Sequence, residues 1–308
     1  MITQNLKTLK DVIQTFSDEQ KCIDYLESII WNGNPVSPFD PNSKVYKCKN
    51  NRYRCKNTGK YFNIKTGTIF EGTKIKLQDW FIAIWMYMSH KGGLSSMELK
   101  RELGVIQKTA WFMLQRIRNC CMFDNKSLLN DEVEMDETYV GGKNKNRHAH
   151  KRIKECQGRS CKGKTPVFGM IERNGKAVAR VVPTTTAKDL MPHIVKHVES
   201  FSTVYTDEWG AYNGLKETYD HHIVRHNIKE YVNGNVHTNN IENFWGNLKR
   251  GIIGVHRVVS PQHIQFYVNE FVFRRNTCKF AVEDRFTYFV KNVRNYRLTY
   301  NELIKKCS

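Results

Sequence analysis

Acidic residues are scarce in this 308-residue chain: 30 Asp and Glu stand against 49 Lys and Arg, a net charge of +19. Such an imbalance implies a polyanionic partner, and the lack of a basic amphipathic helix or a lipidation signal favours nucleic acid over a membrane surface. Long apolar runs are missing too. The longest, such as WFIAIWMYM, are too short to span a bilayer, and no secretory signal is visible, so a cytoplasmic protein without membrane contact is expected. The nine cysteines are odd in number and scattered, with no CxxC pair, which fits reduced thiols rather than a disulfide framework. Low-complexity tracts and internal repeats are also absent.

Enough apolar residues remain (40%, with 12% aromatic) to build a core, and the length suits more than one domain. Residues 1–76 read as a helical lead-in followed by a small β module. Its segment VYKCKNNRYRCKNTGKYFNIKTGTIF interleaves aromatic and β-branched residues with basic and turn residues. Residues 77–125 read as helical. DWFIAIWMYMS gives one apolar helix, and SSMELKRELG and IQKTAWFMLQRIRNC give two more about Gly104, opened by the pair Ser95 and Glu98 in capping-box spacing. A helical pair joined through a glycine turn resembles a helix-turn-helix, with Gln107, Lys108 and Arg116 on the second helix as DNA-binding candidates.

From 130 to 290 the pattern is mixed α/β, leaving 291–308 as a tail. Three strands, the second and third joined at Asn174-Gly175, precede a helix opening at Thr186, a strand ending in TDEWG, a short strand DHHIV and the helix NNIENFWGNLKRGI. That order is the one expected of an RNase H-like fold, in which the first and fourth strands lie side by side. Acidic residues on those two strands would then meet the last helix at one end of the sheet.

Three carboxylates fit this scheme. In VEMDETYVGG, strand alternation puts Glu134, Asp136 and Thr138 on one face and Glu137 on the other, so Asp136 still has to be distinguished from Glu134. Asp207 follows a strand and precedes a glycine turn. Glu242 begins an i, i+3, i+7 row with Trp245 and Lys249, a row that could present a metal ligand, a stacking aromatic and a phosphate-binding lysine to one groove. Arg250 adds positive charge. Glu270 and Asn240 compete with Glu242 for the third position. Between the first two strands, KNKNRHAHKRIKECQGRSCKGK is dense in cations, and Lys143, Lys151 and Arg152 there are candidates for contact with a phosphate backbone. Separated carboxylates brought together by a fold can hold two magnesium ions for in-line attack on phosphodiesters, and manganese can replace magnesium at such oxygen sites.

The ordered motifs DETYVGGK, GKTPVFGMIERNGK, YTDEWGAYNGL, HTNNIENFWGNLKRGI and YVNEFVFRRN resemble the DDE transposases of bacterial insertion sequences, in particular the fifteen-ninety-five family. The resemblance covers nearly the whole chain. It implies a zinc ribbon, a helix-turn-helix and an RNase H-like catalytic domain. It further implies Asp136, Asp207 and Glu242 as the catalytic and magnesium-binding triad, double-stranded DNA (terminal inverted repeats and target) as partner, and a homodimer when two element ends are paired. The ribbon departs from the pattern. Ser37 to Asp40 (SPFD) stands where a CPxC pair belongs, and Thr58 stands where Cys55 should have its partner. Zinc is therefore not expected, and Tyr46, Tyr53, Tyr61 and Phe62 are expected to fill the ribbon core instead. Two rival readings stay open: a DNA-binding protein without turnover, and a nuclease that cuts without joining strands.

Overall fold

A computed structural model describes residues 6–142, 148, 150, 152, 163–224 and 237–305. In chain order the first elements are α1 (Leu9–Thr15), α2 (Glu19–Trp31), β1 (Val45–Cys48), β2 (Arg52–Cys55) and β3 (Tyr61–Phe62). Helices α3 (Leu77–Ser89), α4 (Ser96–Leu103) and α5 (Gln107–Cys120) follow. Next come β4 (Glu132–Val140), β5 (Thr165–Glu172), β6 (Ala177–Val181), α6 (Ala187–His197), β7 (Thr203–Thr206) and β8 (Asp220–Ile223). The chain closes with α7 (Asn239–Gly251), α8 (Ile264–Asn276), α9 (Val282–Lys291) and α10 (Tyr300–Ile304). Two compact units result, Met1–Cys120 with Lys279–Lys306 and Cys121–Cys278. Among the described residues no helix is long and apolar enough to cross a membrane.

In the first unit α3 is apolar on nearly every side and is buried accordingly. Its Phe81 meets Phe16, Tyr25 and Phe286 edge to face, so α9 belongs to this core; residues 279–290 lie here rather than with the second unit. Strands β1, β2 and β3 form an antiparallel sheet in that order. Alternation divides the four aromatics expected in its core. Tyr53 and Phe62 pack with Trp31 at centroid distances of 5.1 to 6.1 Å, whereas Tyr46 and Tyr61 fall on the opposite face and are 44% and 50% exposed.

Hydroxyl groups surround Cys55, which is fully buried. Burial pushes its thiol up, but hydrogen bonds from Ser37, Ser43 and Thr58 outweigh burial and bring it down to about 6. Ser37 Oγ in turn accepts from the amides of Phe39 and Asp40 at 3.1 and 3.3 Å. Side-chain and backbone hydrogen bonds thus tie together the two turns of the module. Elemental analysis of the purified chain should find no stoichiometric zinc; one zinc per chain would contradict a fold held in this way.

The second unit is a five-stranded sheet in the order β6-β5-β4-β7-β8. β4 is antiparallel to β5 and parallel to β7, and β7 is parallel to β8. This is the mixed α/β, RNase H-like arrangement. Residues of alternating parity cover its two faces. Val133, Met135, Phe168 and Met170 pack against Leu190 and Ile194 of α6, whereas Val140, Val167 and Ile171 pack against α7 and α8 through Ile241, Phe244, Trp245, Leu248, Val268 and Val272. Glu134 and Asp136 therefore face α7, and Glu137 faces the other way, where its carboxylate accepts from Tyr212.

Candidate active site

The register of the sheet sets the first two acids side by side. Parallel pairing of β4 with β7 runs through Glu132↔Thr203, Val133↔Val204 and Glu134↔Tyr205, and two residues further on the same offset brings Asp207 level with Asp136. Asp207 comes just after β7, where the chain leaves the sheet; its Oδ1 accepts from the Trp209 amide at 3.0 Å, an Asx turn that fixes the carboxylate at the rim. The Trp209 indole anchors the same turn by donating to the Thr185 carbonyl at 2.8 Å.

Helix α7 is held to β4 by Glu134. This carboxylate is fully buried and accepts from the backbone amides of Asn240 and Ile241 at 2.8 and 3.1 Å and from Asn240 Nδ2 at 2.8 Å. Arg173 Nε donates to it at 3.0 Å, and His237 Nδ1 lies 3.3 Å away. A carboxylate at a helix N-terminus satisfies amides that have no partner within the helix and interacts favourably with the helix dipole. Asn240 and Glu134, both open as ligands on sequence alone, are thus engaged with each other. Glu270, the other competitor, is buried and paired with Arg274 at 2.8 Å.

Trp245 lies on the inner side of α7, 4% exposed, and its Nε1 donates to Asp136 Oδ2 at 3.1 Å. The indole has room because Gly169 is the strand partner of Asp136: a Cβ at Gly169 would come within 2.6 Å of the ring. A tryptophan held there cannot stack on a displaced base, so its expected role as a nucleic-acid contact is replaced by orientation of Asp136. Glu242, one turn away, is exposed and accepts from Thr238 Oγ1 at 3.3 Å.

The Asp136 side chain is half-buried. Burial, together with the charges of Asp207 and Glu242, pushes it up to about 7, against opposing hydrogen bonds from the Glu137 backbone and Trp245. The three acids of the expected triad are thus close enough for Asp136 to feel the other two. Among the described residues, no group of three or more Asp, Glu, His or Cys side chains is drawn together tightly enough to hold an ion. The donor set itself, all carboxylate oxygen, suits magnesium or manganese, and an added cation would relieve the repulsion at Asp136.

The cationic candidates fare differently. Lys249 and Arg250 are exposed on the last turn of α7, with Arg250 donating to Asn247 Oδ1 at 2.8 Å. In α5, Gln107 and Lys108 are exposed, Gln107 bonding to Ser96 and Lys108 lying 4.5 Å over the Tyr300 ring. Arg116 is buried, its guanidinium donating to the carbonyls of Leu298, Ile69 and Glu71 at 2.9 to 3.0 Å, so it braces the first unit and is not available to DNA. Arg152 is exposed; Lys143 and Lys151 lie outside the described residues. Sequence reasoning did not find Arg173, Gly169 or Tyr212. Only the Asn174-Gly175 turn beside Arg173 offered a signal, and it marked a hairpin rather than a site.

Residues 128–276 match the ISXO2-like transposase domain. A protein of the transposable element ISH50 from Halobacterium salinarum is 31% identical over 278 residues, covering 85% of this chain and 92% of its own length. The chain belongs to the ISXO2-like transposase family. A transposase-like protein of Haemophilus influenzae is 30% identical over 102 residues, 33% of this chain and 81% of its own length. Among solved structures, the Mos1 transposase paired-end complex with left transposon end is similar at 11% identity with a TM-score of 0.28, over 69% of this chain and 79% of that one. For this ISXO2-like transposase, the sheet order and the Asp136 environment rest on its own residues.

Two outcomes follow from this geometry. Asp136 holds its proton more tightly folded, at about 7, than at the ordinary carboxylate value of 3.8, so its contribution to stability is complete below about pH 4 and is lost as pH rises through 7. In chelator, thermal melts across this range should show that loss in the wild type and not in Asp136→Asn, and magnesium should reverse it; parallel curves for the two proteins would rule the coupling out. Glu134→Leu, which strands Arg173 and the α7 amides, should cost about 3–5 kcal/mol in urea denaturation. A cost below about 1 kcal/mol, the range of an exposed pair, would mean that Glu134 does not hold α7.

Proposed function

We propose that this chain is the transposase of an insertion sequence, binding the element's terminal repeats as a homodimer and cutting and joining DNA strands through Asp136, Asp207 and Glu242. The observation that supports this reading is the parallel register of β4 with β7, which leads to Asp136 on one strand and to Asp207 just past the other, with α7 tied to β4 by Glu134. Asp136 projects from β4, Asp207 from the residue just after the neighbouring parallel strand β7, and Glu242 from the first turn of α7, so the acids come from elements that Glu134 and the sheet hold in fixed relation. Magnesium, with manganese as a substitute, would be held by these three carboxylates and would supply charge neutralisation at the phosphodiester and activation of the attacking oxygen.

The residues around the acids fit that task. Trp245 donates to one oxygen of Asp136 and orients the carboxylate. Lys249 and Arg250, exposed on α7 beyond Glu242, would hold a phosphate of the bound strand. No protein nucleophile is needed, because positioning and charge dominate the catalysis of phosphoryl transfer. Helices α4 and α5, joined through Gly104 in the left-handed conformation, form the candidate repeat-reading module, with Gln107 and Lys108 at the start of the second helix where base contacts are made.

The test is a cleavage and strand-transfer assay on labelled element-end DNA with magnesium. Wild type should cut the end and join it to target, and Asp207→Asn should abolish both while binding the end almost as tightly. Cutting without joining would identify a nuclease. Binding without cutting by the wild type would identify a DNA-binding protein without turnover.

A further inference from the structure

The solvent face of the small sheet in the first unit carries a row of side chains that the active site does not use. Antiparallel register sets Tyr46 opposite Arg54 and Arg54 opposite Tyr61, one residue from each of three strands on one face, with Arg52 two residues along the same strand. All four are exposed, while the alternate residues Tyr53, Cys55 and Phe62 are buried. From residue 41 to residue 70 the chain has eight lysines and arginines and no acid. A sheet face meant only for water needs no such exclusion of one sign of charge, and the repulsion it creates opposes folding.

The aromatics on this face are covered by cations. The Arg52 guanidinium lies 4.8 Å from the Tyr61 centroid, Arg54 lies 5.8 Å from the same ring, and Lys44 lies 5.6 Å from Tyr46. At the edge, Lys60 lies 5.2 Å from Phe39. Rings covered in this way are poor platforms for stacking bases. What they do is hold long cationic side chains in place, which lowers the entropy lost when a phosphate is bound.

We propose that this face, centred on Arg52, Arg54 and Tyr61, is a second DNA-contact surface that grips the phosphate backbone of duplex DNA without reading its sequence. The assignment rests on the reading of the chain as a DNA-acting protein, but it concerns a surface distinct from the three acids and from α5. Duplex DNA is the occupant because the face is cationic on a segment without acids, and because phosphate contacts position a protein on DNA without specifying a base.

The experiment is a binding titration of the full chain against a labelled duplex of arbitrary sequence at several salt concentrations. Each phosphate contact contributes about 0.9 to the log–log salt slope, so Arg52→Ser with Arg54→Ser should lower the slope by about 1.8. The fall in affinity between about 50 and 200 mM salt should then be about tenfold smaller than for the wild type. The slope should drop equally on element-end DNA, and Arg52→Lys with Arg54→Lys should restore it. Tyr61→Ala, which removes no charge, should weaken binding by a few fold, and Lys10→Ser, on an exposed site of α1, should leave the slope unchanged. The proposal is overturned if the double variant binds with the wild-type slope, if Lys10→Ser lowers the slope as much, if the loss is confined to one sequence, or if single strands bind better and Tyr61→Ala costs more than the arginine changes. Failure here is separable from failure of the transposase reading. A double variant with unchanged salt slope that still cuts and joins DNA removes this surface alone, whereas a wild type with the expected slope that never cuts removes the catalytic reading alone.

Discussion

A single buried carboxylate, Glu134, holds the second unit's working parts together. It lies on the central strand, two residues from Asp136, and receives the first free amides of α7 together with Asn240 and Arg173. Burying a carboxylate is costly unless donors surround it, and the exposed N-terminus of a helix is a rich source of donors. The strand and the helix each satisfy what the other leaves unpaired. Because α7 starts there, Glu242 and Trp245 are set relative to Asp136, and the site's geometry follows from a bond between groups that do no chemistry.

Around that clamp, packing and charge pull in opposite directions. Trp245 sits over Gly169 and donates to Asp136, which fixes the carboxylate but also helps to enclose it. Enclosure and two neighbouring acids make the charged form of Asp136 unfavourable. The charges of Asp207 and Glu242 act on Asp136 in the direction that a divalent cation at its carboxylate would reverse. Structural carboxylates in the same unit are arranged differently: Glu134 meets Arg173 and Glu270 meets Arg274.

Much of this was readable from sequence, for definite reasons. Strand alternation distinguished Glu137 from Asp136, and the order of elements placed Asp207 just past the end of the strand that pairs with β4. Periodicity located α7 and the helices about Gly104. It could not tell which edge of a helix face meets the sheet: Glu242 and Trp245 are about 60° apart around α7, so one is exposed and the other buried. Arg116 looked like a DNA contact because it is basic and lies on α5, yet its partners, the carbonyls of Ile69, Glu71 and Leu298, are far away in sequence. The same limit hid which core α9 joins: its aromatic rings pack in the first unit, across most of the chain length. The choice between Asp136 and Glu134 needed the partners of both, because alternation puts them on one face.

A structure of the protein with manganese, using its anomalous signal, tests most directly whether the three acids act as one site. The expected result is metal within about 2.2 Å of carboxylate oxygens of Asp136, Asp207 and Glu242 together, with Glu134 still bonded to α7. Metal bound to Asp136 and Asp207 with Glu242 pointing away, or bound only elsewhere, would contradict it.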